Sequence, residues 1–281
     1  LRKGTREEGK VAIDSIMCPG YRYSPYKSKG KLTSSFYSKA YVFLDAQMEK
    51  MNDGVLVIVG DVDEEYLKQQ LIAYVGNFRT KDAPARKTTV RYQPVSGWTT
   101  YTVKGWDDAV DVALSARMPL TFNNYLAACI AVMAIERDLT ETLARAGMSF
   151  EVLFNCRIYP EERMNMIVSV YGADAEGFAS GMTGKSAIDA LAPVREALSG
   201  LASKEITDDQ LKQYKAFLKN QLSVEMNDPQ YWVDAIVVRY LDGKDLTTGY
   251  AANIDALSKD DVKRVLALID RGCKVEYVTE N

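Results

Sequence analysis

Apolar residues fall into alternating blocks of helical and strand period along this chain. Leu32, Phe36, Ala40, Phe43 and Met51 lie near one face of a helix, so the spacing predicts an amphipathic helix over 32–51. Asn52-Asp53-Gly54 ends it, and Val55-Leu56-Val57-Ile58-Val59 is the continuous apolar run of a fully buried strand. Gly60-Asp61-Val62-Asp63 turns the chain, and Asp63 is placed to cap a helix carrying Leu67, Leu71, Val75 and Phe78. Alternation returns at 98–103 and 110–117, the second with Val110, Val112 and Leu114 on one face. A long helix over 122–145, closed by Gly147, leads to a hairpin-like pair at 148–154 and 164–171, with Met164, Met166, Val168 and Val170 on one side. Beyond this the pattern is almost wholly helical. Ile188, Leu191, Val194, Leu198 and Leu201 mark one helix, and Thr207-Asp208-Asp209-Gln210 is a capping box for the next, which runs to Met226. Asp228-Pro229 restarts a helix through Leu241, Ser258 and Asp261 cap a last one, and 274–278 is the closing strand.

Strands first and helices after, with hairpin-scale connections, indicate an α+β fold: a largely antiparallel sheet packed against helices on one face. Two stretches break the periodicity. The first, up to about Gly30, is polar and turn-rich (Cys18-Pro19-Gly20 through Pro25) and reads as a loop. The second, 79–96, is basic and proline-containing and reads as an interdomain linker. An internal echo is also present, since Leu32 to Val57 and Leu246 to Val275 each run helix, glycine turn, buried strand.

Composition narrows the function. The chain has 281 residues, 47% of them hydrophobic, enough for one large or two small cores. A net charge of −3 gives no concentrated basic surface for nucleic acid. No apolar run approaches the ~20 residues a bilayer span requires. The first residue is Leu1 rather than Met, so the expectation is a trimmed piece of a longer protein. Cys18, Cys129, Cys156 and Cys273 show no short spacing and read as reduced, mostly buried thiols. They do not fix the compartment, for which a periplasmic or other extracytoplasmic setting is the working expectation.

Candidate chemistry is sparse. Residues 179–186 (Ala179 to Gly184-Lys185-Ser186) match a relaxed phosphate-loop pattern, but that mechanism needs a strand ending directly before the loop. The nearest strand ends near Gly172, so the plainer reading is a glycine-rich loop with Ser186 capping the next helix. Asp61, Asp63, Glu64 and Glu65 are carboxylate-dense but lack the spacing of a calcium loop, and acids in a first helical turn are favoured by its dipole. Asp107-Asp108 and Glu161-Glu162 read as solvated turns. The sequence contains no histidine, so no serine or cysteine can have an imidazole base. No catalytic and no metal-binding residue is assigned.

Four segments, in order, carry a resemblance. These are Gly54 to Asp63 followed by a helix to Phe78; Leu143-Ala144-Arg145-Ala146-Gly147-Met148-Ser149-Phe150-Glu151-Val152; Glu205 to Leu211 opening a long helix; and Leu257-Ser258-Lys259-Asp260-Asp261-Val262 opening the last. In that order, over roughly 30–281, the chain resembles the insulinase/pitrilysin family of zinc peptidases, whose repeated domains would explain the internal echo. The resemblance implies that 1–80 is the C-terminal part of one insulinase-type domain, 81–96 a linker, and 97–281 a complete C-terminal, non-catalytic domain. The family's inverted zinc motif H-x-x-E-H cannot occur in this sequence, which has no histidine. Zinc is therefore expected in a partner half and no cofactor in this chain. Helpful C-terminal domains carry an arginine four residues before the glycine and a tyrosine three after it. Those positions are Leu143 and Phe150, with Arg145 displaced by two residues onto another helical face.

Two functions follow from the resemblance. One is the non-catalytic half of a clamshell peptidase, forming chamber wall and closing surface for a zinc-bearing half in cis or in trans, with a peptide or small unfolded protein as substrate. The other is a scaffold or interaction module with no protease role. Nucleotide binding through 179–186 is the remote third.

Overall fold

The structure is a computed structural model that describes residues 6–20, 34–49, 55–76, 92–104, 108–171 and 186–280. Its centre is a five-stranded sheet of β1 (Trp98–Lys104), β2 (Ala109–Arg117), β3 (Phe150–Arg157), β4 (Arg163–Tyr171) and β5 (Cys273–Glu280), in the order β1-β5-β2-β4-β3. β1 and β5 run parallel, while β2 pairs antiparallel with β4 and β5, and β3 with β4. The α+β, largely antiparallel architecture read from the sequence is the one observed.

Strand alternation sorts the sheet's two faces. Val110, Val112, Leu114 and Ala116 of β2, with Met164, Met166, Val168 and Val170 of β4, point to the helical side and join one core cluster. Against them lies α4 (Phe122–Ala146), whose Leu126, Ile130, Ile135, Leu139 and Leu143 are buried. α5 (Leu191–Leu198), α6 (Asp208–Glu225), α8 (Tyr250–Ala256) and α9 (Lys259–Arg271) contribute further apolar residues to that cluster. α7 (Pro229–Asp242), capped by Asp228, buries no residue fully and lies at the rim.

Local chemistry explains the ends of these helices. Thr207 and Gln210 form a reciprocal capping box on α6, and Ser258 with Asp261 does the same on α9. Gly147 ends α4 at φ 70°, ψ 34°, with its amide donating to Ala144 O and the Met148 amide to Leu143 O. This pair of bonds closes the helix and needs the left-handed conformation that glycine adopts freely. The run predicted as one helix from Ile188 to Leu201 divides instead into a 3₁₀ turn (Ala187–Ala190), α5, and a second 3₁₀ turn (Leu201–Ser203) after Gly200 at φ 65°. Ile188 is exposed rather than part of the face.

The structure corrects the reading of the first segment. Residues 6–17 are not a loop but α1 (Arg6–Met17), whose Ala12, Ile13 and Met17 pack with Ala113, Cys273, Val275 and Tyr277. Helices therefore cover both faces of β2 and β5. The charged start of α1 conceals its apolar stripe, which the sheet's second face selects. Part of the span read as a linker is docked on the same element: Val95 N donates to Met17 O at 2.8 Å, and Gln93 N to Cys18 Sγ at 3.2 Å. The remainder of that span, 79–91, lies outside the described residues.

Residues 55–59 are the second correction. They form no strand, and Val55, Leu56 and Ile58 are exposed, because no described strand lies alongside to pair with them. The internal echo is therefore realised only in its later copy, where α9, Gly272 and β5 follow one another. α2 (Ser34–Met48) buries none of its residues. α3 (Glu64–Gln70) is capped as expected, Asp63 accepting from Tyr66 N at 2.8 Å, and runs into a π turn (Leu71–Val75). Phe78 lies outside the described residues.

Candidate functional site

Leu143 and Phe150 both point into the helix-side core. Leu143 is 0% exposed near the end of α4, and Phe150, paired with Val170 in β3–β4, packs half-buried against the same cluster. Neither lines the two cavities beside β3. Arg145 is exposed, and its Nε donates to Glu141 O at 2.9 Å, one turn back along α4. The structure brings the two positions into one core and leaves the nearby arginine outside it.

The other sequence candidates are also engaged locally. Ser186 does not cap the following turn with its own side chain. Asp108 does so, accepting from the Ser186 hydroxyl and from Ala187 N at 3.0 Å each. Asp108 is thus a capping residue and not a solvated turn. The hydroxyl and the amide that a phosphate would use are occupied by a carboxylate, and 179–185 lie outside the described residues. Glu161 and Glu162 likewise have partners. Glu161 binds Arg163 at 2.5 Å, while Glu162 accepts from Leu120 N and pairs with Lys244, each at 2.6 Å. The Lys244 and Leu120 bonds hold the Glu162 carboxyl below its ordinary range.

Sequence reasoning missed two polar clusters inside the sheet. On the α1 side, Arg163 Nε donates to Ser115 Oγ at 2.7 Å, Ser115 Oγ to Asn165 Oδ1 at 2.6 Å, and Asn165 Nδ2 to Asn155 Oδ1 at 3.1 Å. Ser169 donates to Asp111 beside them. On the helix side, Arg195 grips Glu276 through two bonds of 2.5 Å, and Thr100 adds a third at 2.6 Å. Burial pushes the Glu276 carboxyl up, but those bonds outweigh it and the net direction is down. These hydrogen bonds tie β1, β2, β4 and β5 together, although Arg195 and Asn155 reach the surface. Ser169 and the carboxylate it donates to, Asp111, are both buried, out of reach of a substrate.

An open concave surface follows β3. One cavity of 440 Å³ is walled by Tyr125, Cys129 and Glu136 of α4, Val152 and Phe154 of β3, and the α6 face from Phe217 to Glu225. A second, of 350 Å³, lies against Phe154, Cys156, Tyr231, Asp234 and Val238. Tyr125, Phe154 and Glu225 line both, so the two are one divided cleft. Its thiols are quiet: burial pushes Cys129 up to about 12, with the nearby Cys156 adding to the effect, and burial pushes Cys156 to about 12. The Tyr125 hydroxyl is raised further, by the charge a neighbouring Cys129 thiolate would carry and by burial. A stripe at helical spacing (Tyr125, Cys129, Met133, Glu136) was the available sequence signal for this surface.

Zinc finds no ready ligand set among the described residues. It takes thiolate, neutral imidazole or carboxylate ligands, and the sequence has no imidazole. Among the described residues, no group of three or more His, Cys, Asp or Glu is placed to hold a metal ion. No described helix is long and apolar enough to cross a membrane.

No family model matches the chain, and no curated protein matches it. Solved structures do. The periplasmic protease PqqL from Escherichia coli superposes with a TM-score of 0.65 at 15% identity, over 98% of this chain and 30% of that one. The first half of the same protease gives 0.64 at 12% identity, over 99% of this chain and 63% of that one. A predicted insulinase family protease from Yersinia pestis gives 0.52 at 13% identity, covering 79% and 50%. The chain has an insulinase-type fold. It spans between about a third and two thirds of the length of these insulinase-type structures. At such identities the likeness establishes the fold, and the insulinase-type domain is the frame on which the two cores, the polar clusters and the β3 cleft are built.

Proposed function

We propose that this chain is a non-catalytic half of a zinc peptidase, closing a clamshell chamber around peptide substrates held for a zinc-bearing half. The observation that carries the reading is the superposition of 98–99% of the chain on a bacterial protease, combined with a sequence that holds no histidine. Zinc lowers the pKa of bound water from about 15.7 to ~7, and among the described residues no ligand set is placed to bring it there. Its contribution is then geometric. A wall that excludes water and fixes an extended chain converts a loose encounter into an oriented one, and backbone pairing at a sheet edge holds peptides of varied sequence.

The exposed apolar side chains before the sheet support a further element of the proposal, that residues 1–80 include the end of a second, incomplete insulinase-type domain. Tyr41, Phe43, Leu56 and Tyr74 are each more than half exposed, and large apolar side chains left in solvent are what a missing domain would cover. Residues 81–96 would then lead to the 97–281 domain, although α1 of the first unit packs on the sheet of the second.

The scaffold reading has one observation of its own, the core placement of Leu143 and Phe150, where a substrate-binding arginine and tyrosine would be expected. Elemental analysis and sedimentation separate the readings. The clamshell reading expects no stoichiometric zinc in the purified chain, and a one-to-one complex when the parent's zinc-bearing half is added. About one zinc per chain after dialysis would overturn the non-catalytic assignment. Absence of the complex would leave only the scaffold.

A further inference from the structure

On the α1 side of the sheet, the last residue of β3 is an arginine whose bonding is incomplete. Arg157 stands opposite Arg163 in the β3–β4 register, yet the two guanidinium groups are used differently. Arg163 is satisfied, since it donates to Ser115 Oγ and Ser115 O and pairs with Glu161. Arg157 reaches Asp14 Oδ1 through Nη1 at the long distance of 3.9 Å, and Asp14 is itself half exposed. Among the described residues, Arg157 Nε and Nη2 are buried and have no hydrogen-bond partner. A buried N–H without an acceptor is costly, more so on a charged group, and native proteins satisfy nearly all of them with protein, water or an ion.

The two atoms left over are chemically specific. Nε–H and Nη2–H project in parallel from one edge of the planar guanidinium, the edge that grips two oxygens of a carboxylate or a phosphate. The other corner, Nη1, is the one turned toward Asp14. The Tyr92 ring lies over the group, its centroid 4.6 Å from Arg157 Cζ and 5.5 Å from Arg163 Cζ. Tyr92 belongs to no helix or strand and begins the segment that docks on α1 through Gln93 and Val95. The charges facing Arg157 are Arg163, Asp14 and Glu161, and Glu161 is already engaged by Arg163. Its own positive charge is therefore poorly compensated.

We propose that Arg157 anchors a site for a small free oxyanion, a carboxylate or a phosphate, held side-on by Nε and Nη2 beneath Tyr92. The anion supplies the two acceptors that the fork lacks and the negative charge that distant, half-exposed Asp14 supplies weakly. The Arg157 side chain is 24% exposed as a whole, so Tyr92 swings aside to admit the anion and then covers it. Occupied, the site ties the end of β3 to the segment docked on α1 and stabilises that face of the sheet. The inference is independent of the peptidase reading.

The test uses the 281-residue chain carrying isotopically labelled arginine, titrated with inorganic phosphate, with acetate, and with sodium chloride at matched ionic strength. The Nε–H resonance of Arg157, assigned through its side-chain connectivity, should shift saturably with phosphate or acetate and not with chloride. The Nε–H resonance of Arg195, which is bonded to Glu276, should stay in place. Thermal unfolding should move upward with the concentration of the same anion, because it binds the folded chain alone. Arg157→Lys keeps the charge without the fork, and calorimetry should show the anion binding about tenfold more weakly or worse, with an unchanged circular dichroism spectrum. If that variant does not fold, the resonance shift in the unsubstituted chain decides. An equal response of Arg157 to phosphate, acetate and chloride would reduce the effect to screening and overturn the proposal. A resonance unmoved by all three, with cross-relaxation to a bound water, would assign the fork to water and overturn it as well. So would an Arg157→Lys chain that binds the anion as tightly as the original.

Discussion

Substituting Leu143 by arginine, the residue a catalytically helpful insulinase-type domain would carry there, should unfold this chain rather than restore a site. Leu143 is 0% exposed, and its carbonyl accepts the Met148 amide that closes α4. Truncation to alanine removes a buried side chain from a packed cluster and should cost about 3 kcal/mol, within the ~2–5 kcal/mol usual for such changes. Arginine removes the same packing and adds a guanidinium with no carboxylate to meet it in that core. The desolvation of an unpaired ion brings the total to at least about 5 kcal/mol. A domain of ordinary stability has only about 5–15 kcal/mol in all. Phe150→Tyr adds one hydroxyl to a half-buried ring at the start of β3 and should stay within about 1 kcal/mol. Urea unfolding followed by tryptophan fluorescence and circular dichroism measures all three variants. If Leu143→Arg shifted the midpoint by less than the equivalent of about 1 kcal/mol with an unchanged slope, the core placement of Leu143 would be wrong.

Two further outcomes follow from the same structure. Acid should weaken the fold by a calculable sign. The Ser258 hydroxyl, with further help from the Ser258 amide, Asn123 and Arg264, holds the Asp261 carboxyl at about 2 against the opposing effect of burial, and Glu276 and Glu162 are also held low. Depressed carboxylates stabilise fully above their ordinary range, and that stability is lost as pH falls through their folded values. The urea midpoint should therefore drop between about pH 5 and pH 2, and Asp261→Asn should flatten the drop; a midpoint constant over that window would contradict the assignment. The thiols should be silent: with Cys129 and Cys156 at about 12, maleimide at neutral pH should label neither until denaturant is added, and rapid native labelling of either would show the cleft to be more open than described.

The parts of the fold legible in the sequence are those set by local chemistry. The caps at Thr207 and Ser258, the glycine stop at Gly147 and the alternation of Val110, Val112 and Leu114 all depend on neighbours in the chain. What escaped the reading depends on distant partners. The odd positions of β2 (Asp111, Ala113, Ser115) resemble a solvent face, but they are buried because Ser169 and Arg163 satisfy the polar groups and α1 covers the alanine. Conversely, Val55 to Val59 has the composition of a buried strand but forms none and leaves Val55, Leu56 and Ile58 exposed, since composition does not supply a pairing strand. At the candidate site, the sequence located Leu143 and Phe150 without showing which way they face. The β3 cleft requires α4, α6 and α7 to converge on one strand, and no local pattern encodes that convergence.

The proposed division of labour is tested most directly by turnover of a fluorogenic peptide by the parent's zinc-bearing half, measured with and without this chain. The account expects this chain alone to give no turnover, and kcat/KM of the zinc-bearing half to rise when the chain is added or tethered, because the closed chamber orients the peptide and excludes water. Hydrolysis by this chain alone, or an identical rate for the zinc-bearing half with and without it, would contradict the account.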